Sequence, residues 1–129
     1  MDVAYVIGPY RSKIGAHGIK KNIDKAEDTA KRLWLLEFAV ICPHKNTAFF
    51  DGIAPDEIWL QGDLELLSRS NLAVTVDGWE KSEGSTQEVN FCKENKIPVY
   101  HSIHEVMEKY KKLSPAEIES YRRCFENLP

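Results

Sequence analysis

Two carboxylates in this sequence stand where they could act on a bound sugar. The segment Ser82-Glu83-Gly84-Ser85-Thr86-Gln87-Glu88 follows an apolar, β-branched run, Leu72-Ala73-Val74-Thr75-Val76, and a turn opened by Asp77-Gly78. It places Ser82, Gly84 and Ser85 where a helix should start and Glu88 on its first turn. Glycine lets backbone approach a ligand closely, and free N–H groups at a helix N-terminus favour an anion. A carboxylate within one turn of such a site is a candidate nucleophile or base. The second acid, Asp63, follows Gly62 in a stretch whose Leu60, Leu64 and Leu67 should face a core, so it lies near the boundary of that face. Nucleophilic carboxylates attack sugar anomeric carbons, and a second acid protonates or positions the leaving group. The same spacing has a structural reading, in which Ser85 caps the helix and Glu88, three residues on, completes a capping box.

Other polar residues are weaker signals taken singly. Tyr5 lies within the first apolar run, where a buried aromatic usually finds a partner for its hydroxyl. Arg11 follows Gly8 in a loop, where a guanidinium can meet a phosphate or carboxylate with two parallel hydrogen bonds. His44 sits at a strand end, suited either to a ligand hydrogen bond or to a structural one. Asp51, next to Gly52, reads as a turn residue.

Several chemistries lack support. There is no close His/Cys/Asp cluster for a metal, no Walker loop or GxGxxG for nucleoside triphosphates or dinucleotides, and no G-x-S-x-G elbow. No cofactor is expected. The net charge of −3 over 129 residues gives no general pull toward a nucleic acid polymer. Cys42, Cys92 and Cys124 are odd in number and widely spaced, which fits a reducing compartment. With no signal peptide or membrane-length apolar stretch, the expectation is a cytoplasmic protein of one domain spanning 1–129.

The positioning elements follow from periodicity. Val3–Ile7, Phe38–Cys42, Leu72–Val76 and Ile97–Tyr100 read as buried strands. Between them, Ile23, Ala26, Ala30 and Leu33 recur at helical spacing in a helix beginning near residues 19–22 and ending near Glu37. Pro43–Gly52 reads as a loop. Pro55-Asp56-Glu57 suits the first turn of a helix carrying Ile58, Leu60, Leu64 and Leu67 inward, with Gly62-Asp63 as a break. A helix from Ser85 to about Asn95 follows. Ser102–Glu105 and Ser114–Glu117 are capping-box signatures, so the tail should be two helices, the second docking through Ile118, Tyr121, Phe125 and Leu128 on the body or on another subunit. Strand alternating with helix four times predicts an α/β fold, a parallel sheet covered on both faces. Its carboxyl rim, where ligands bind in such sheets, would gather Gly8–Ser12, Pro43–Asp51, Asp77–Glu88 and the loop after Tyr100.

Taken together, Tyr5-Val6-Ile7-Gly8-Pro9-Tyr10-Arg11, Pro43-His44, Gly62-Asp63-Leu64-Glu65-Leu66-Leu67 and Ser82–Glu88 resemble the nucleoside 2-deoxyribosyltransferase superfamily. The likeness is nearer to its nucleoside 5′-monophosphate N-glycosidases and small phage and bacterial relatives, and it covers roughly residues 3–100. The resemblance implies a flavodoxin-like three-layer sandwich with a sheet of four to five strands, and cleavage of the N-glycosidic bond of a (deoxy)nucleotide. By that likeness Glu88 attacks the anomeric carbon or stabilises charge there, Asp63 assists the departing base, and Tyr5 holds Glu88. Arg11, Ser82 and the backbone around Gly8 and Gly84 would line the phosphate side, Tyr10 would contact the substrate, and His44 would lie near the base. Ser82 stands where relatives acting on unphosphorylated nucleosides tend to carry aspartate, which favours a monophosphate. The resemblance also implies a homodimer or higher homo-oligomer. Pro9 stands where the monophosphate hydrolases present a hydroxyl, and proline lacks even an N–H. A nucleotide-binding or sensing module without turnover is the alternative, and an interaction subunit using the tail helices is a third.

Overall fold

The computed structural model describes residues 1–129. Four strands, β1 (Val3–Ile7), β2 (Ala39–Ile41), β3 (Leu72–Thr75) and β4 (Val99–Tyr100), form one all-parallel sheet in the order β2-β1-β3-β4. Parallel neighbours need crossovers, and helices supply them: α1 (Ala16–Leu35), α2 (Pro43–Asn46), α3 (Asp56–Ser68) and α4 (Glu83–Glu94). The chain steps from β1 outward to β2, then crosses back to β3 on the other side. That reversal makes the crevice between β1 and β3 the switch point of the sheet, the ligand-binding position in this class of fold. The molecule is an α/β three-layer sandwich of flavodoxin-like type.

Side chains alternate along β1, and the two faces build two cores. Ala4, Val6, Leu72 and Val74 pack against Ala26, Ala30 and Leu33 of α1. Tyr5, Ile7 and Ala73 pack on the opposite face against Leu67 of α3 and Val89 and Cys92 of α4. The apolar stripe read from the sequence of α1 is the buried one.

The tail completes the first core. After β4 come α5 (Ile103–Glu105), a π-turn over Val106–Tyr110 and α6 (Pro115–Glu126). Ser114 caps α6, accepting from the Glu117 N–H at 3.2 Å, while the Glu117 carboxylate accepts from the Ser114 N–H at 3.0 Å. Val106, Met107, Ile118 and Phe125 join the α1-side core, with Tyr121 and Leu128 packed against it. Of the two docking surfaces left open for the last helix, the protein's own body is the one used.

Several boundaries differ from expectation. α1 starts at Ala16, earlier than the first clear apolar residue, because Gly15 turns the chain with φ 75°. The stretch after β2 is not all loop: Pro43 at the first helical position starts the short α2. Ser82, not Ser85, caps α4, accepting from the Ser85 N–H at 3.2 Å, so the helix begins at Glu83 and Glu88 has no part in a capping box. α3 runs unbroken through Gly62-Asp63, since one glycine costs only about 1 kcal/mol and solvent lies over it. Ile58, expected to face inward, is instead 55% exposed in the first turn of α3.

Candidate functional site

Tyr5 is the third residue of the five in β1, fully buried, its side chain facing the α3 and α4 layer. Its phenol donates to Oε2 of Glu88, one and a half turns into α4. A strand residue cannot move without breaking the ladder, so the hydroxyl is a fixed point that sets the rotamer of the carboxylate. Burial and the adjacent Glu88 and Asp63 charges hold the Tyr5 phenol far above its usual range. It therefore remains a donor.

Burial raises Glu88 to about 8; the Tyr5 hydrogen bond works against this and the Asp63 charge adds to it. Burial raises Asp63 to about 6. Asp63 is half-buried on α3, which packs beside α4. Two acids in one desolvated place thus share about a single proton between pH 6 and 8. Such a pair can supply an anion to one atom and a proton to another.

The rim beside them is tightly built. A Cβ on Gly8 would lie 2.9 Å from Val76 Cβ and 3.2 Å from its Cγ2, so only glycine lets the ends of β1 and β3 approach this closely. His44, buried in α2, donates from Nε2 to the carbonyl oxygens of Gly8 and Pro9, each at 3.0 Å. Both acceptors are carbonyls, so the proton of the neutral ring resides on Nε2. Burial lowers His44 below the usual imidazole range, with the two carbonyls opposing. His44 thus braces the loop after β1 from within.

Tyr10 and Arg11 sit on a second network. The Tyr10 hydroxyl donates to Asp51 at 2.8 Å and accepts from the Phe49 N–H at 2.7 Å. Asn22 donates to the carbonyls of Tyr10 and Arg11 at 3.0 and 3.2 Å. The Arg11 guanidinium lies 2.6 Å from Asp56 and 3.8 Å from Asp51. Its partners are these carboxylates rather than Ser82 or Gly84; Ser82 is occupied in capping and Gly84 is exposed at the start of α4. The structure therefore joins Tyr5, Asp63 and Glu88 in one group and Gly8 with His44 in another. Tyr10 is drawn to the segment before α3 and Arg11 to the first residue of α3.

Asp56 escaped the sequence reading, where Pro55-Asp56-Glu57 registered only as a helix start. Two surface clefts, of about 330 and 550 Å³, lie along the ends of β3 and β4 and share Thr75, Asp77 and His101. Neither includes Tyr5, Asp63 or Glu88 in its walls. There His101 stacks on Trp79 at 5.3 Å and hydrogen-bonds Thr75 through Nδ1 at 2.8 Å. No group of His, Cys, Asp and Glu is arranged to hold a metal ion. No helix is long and apolar enough to cross a membrane. No family model matches the chain, and no curated protein matches it.

Proposed function

We propose that this protein cleaves the N-glycosidic bond of a (deoxy)nucleoside 5′-monophosphate, with Glu88 as the central carboxylate. The observation that carries the reading is the Tyr5–Glu88 hydrogen bond beside Asp63, a part-buried pair of carboxylates on the α3 and α4 side of the sheet. In the reaction Glu88, as the anion, adds to C1′ or stabilises the cation forming there as the C1′–N bond breaks. At rest the shared proton favours Glu88, the higher of the two acids, so the reactive form is the one in which it has passed to Asp63, which delivers it to the departing base. Water, or a second base, then takes the sugar from Glu88, giving up its proton to the now ionised Asp63. Tyr5 acts through Glu88, orienting it and favouring its charged form.

The motifs around Gly8, Arg11 and Ser82 support a phosphate at the far end of the ligand, and His44 braces the wall there. Phe49, Phe50, Ile53 and Ile58 are all exposed on or beside the loop before α3, which supports assembly as a homodimer. The test is base release from a panel of ribo- and deoxyribonucleoside monophosphates, beside Glu88→Ala, with mass measured in solution. Release by wild type alone supports the reading; release at the wild-type rate by Glu88→Ala ends the role assigned to Glu88.

One observation favours a second reading, a nucleotide-binding module without turnover. Pro9 offers neither a hydroxyl nor an N–H, and its carbonyl is already committed to His44. Monophosphate binding with no product from any member of the panel would select it.

A further inference from the structure

Arg11 already holds an anion in this structure, and that anion belongs to the protein. Asp56, the first residue of α3, places Oδ1 2.6 Å from Nη2 of Arg11. The Arg11 backbone is pinned by Asn22, so the choice of partner is left to the side chain. Asp51, the other carboxylate near the guanidinium, is already engaged as acceptor of the Tyr10 hydroxyl and lies farther off, at 3.8 Å. Asp56 forms its ion pair with Arg11 alone.

We propose that Asp56 is a specificity-determining residue, an internal counter-ion that a ligand phosphate must displace from Arg11. The inference rests on the reading above that Arg11 faces the phosphate of the substrate. Two carboxylates around one guanidinium leave a net negative charge, so an approaching phosphate dianion meets repulsion until Asp56 turns away. The pair is solvent-exposed, its side chains at 63% and 68%, and exposed pairs are weak. Displacement is therefore feasible, yet it selects against phosphate relative to an uncharged ligand end.

The position on α3 adds a second consequence. Asp56 and Asp63 are seven residues apart, two turns, and so project from one face of the helix about 10 Å from each other along its axis. That face then carries the control of the phosphate end and the proton for the base end on a single rigid rod. The spacing is comparable with the length of a nucleoside monophosphate.

The test is calorimetric titration of wild type, Asp56→Asn, Glu57→Gln and the Arg11→Ala/Asp56→Asn pair with adenosine 5′-monophosphate, inorganic phosphate and adenosine. Asp56→Asn is expected to bind both phosphate probes about two- to fivefold more tightly, the range expected of an exposed ion pair. Adenosine affinity is expected to be unchanged. Glu57→Gln removes the same charge one residue along and is expected to give no gain. The gain is expected to vanish without Arg11. Unchanged or weaker phosphate binding by Asp56→Asn overturns the inference, as does an equal gain in Glu57→Gln or in the absence of Arg11. Absence of phosphate binding by every variant overturns it too. Base release tells the two readings apart. Turnover with no Asp56 effect sinks only the role of Asp56, whereas the Asp56 effect without turnover sinks only the glycosidase.

Discussion

Tyr5 and Glu88, 83 residues apart in sequence, are joined by a hydrogen bond between the middle of β1 and the second turn of α4. The phenol favours the charged carboxylate while burial disfavours it. Tyr5→Phe keeps the ring in its packing and removes that donor. Glu88, at about 8 in the wild type, should move further up. Since the anion does the work, the rising limb of the pH–rate profile should shift to higher pH. The rate near neutrality should fall by about tenfold to a hundredfold, the value of one hydrogen bond to a charged group.

Asp63→Asn separates the proton donor from the nucleophile. Base release should drop by about 10²–10⁴-fold, the usual contribution of general acid catalysis. A nucleotide whose base departs without protonation should recover most of that rate in Asp63→Asn and none of it in Glu88→Ala. Equal losses on both substrates would show that Asp63 does not protonate the leaving group.

The raised Glu88 couples folding to pH. Its folded value, about 8, lies above the ordinary carboxylate value of 4.5, so between these limits the folded chain holds more protons than the unfolded one. Stability from this residue is therefore full below pH 4.5 and is lost as pH rises toward 8. Glu88→Gln removes the ionisation. Urea unfolding at pH 9 should show the variant more stable than wild type by on the order of 2 kcal/mol, with the difference shrinking toward pH 5.

The close approach at Gly8 is a stability feature as well as a shape. Gly8→Ala sets a methyl 2.9 Å from Val76 Cβ, and neither strand can give way freely. A loss of about 1–3 kcal/mol is expected from overpacking, read as a lower urea midpoint. His44→Ala leaves the Gly8 and Pro9 carbonyls without their shared donor and should cost about 1–3 kcal/mol. The double variant should lose less than the sum, because both changes loosen one loop.

Phe125 is 6% exposed in the α1-side core, so Phe125→Ala should destabilise by about 3–5 kcal/mol. Mass in solution should stay that of wild type at temperatures where the variant is folded. A variant of wild-type stability that dissociates from an oligomer would instead make the last helix an interface.

The sheet was legible because each strand is a short apolar run and each helix carries a stripe at its own period. Ile23, Ala26, Ala30 and Leu33 share one helical stripe by spacing alone, and all four are buried. Boundaries set by a single turn residue were less legible: Gly15 begins α1, and Ser82 rather than Ser85 caps α4, although serine suits both places. The grouping of Tyr5 with Glu88 follows from strand order and side-chain alternation, and only the resemblance supplied it beforehand. Charge pairing was the least legible. Nothing in the spacing of Arg11, Asp51 and Asp56 indicates that they meet, because the fold of the intervening loop decides it.

The core on the α1 side joins Ala4 and Val6 to Val106, Met107, Ile118 and Phe125. A ribosome delivers those groups in sequence order, so the part of this face that α1 does not cover stays open until the last of them has emerged. Folding of that face is then tied to late synthesis, and a nascent chain stalled before Ile118 would present an uncovered apolar surface to chaperones and proteases. The wait is lengthened by the sheet itself, since parallel pairing joins strands far apart in sequence. The same docking that makes the tail part of the body therefore makes its arrival the step on which survival of the newly made chain turns.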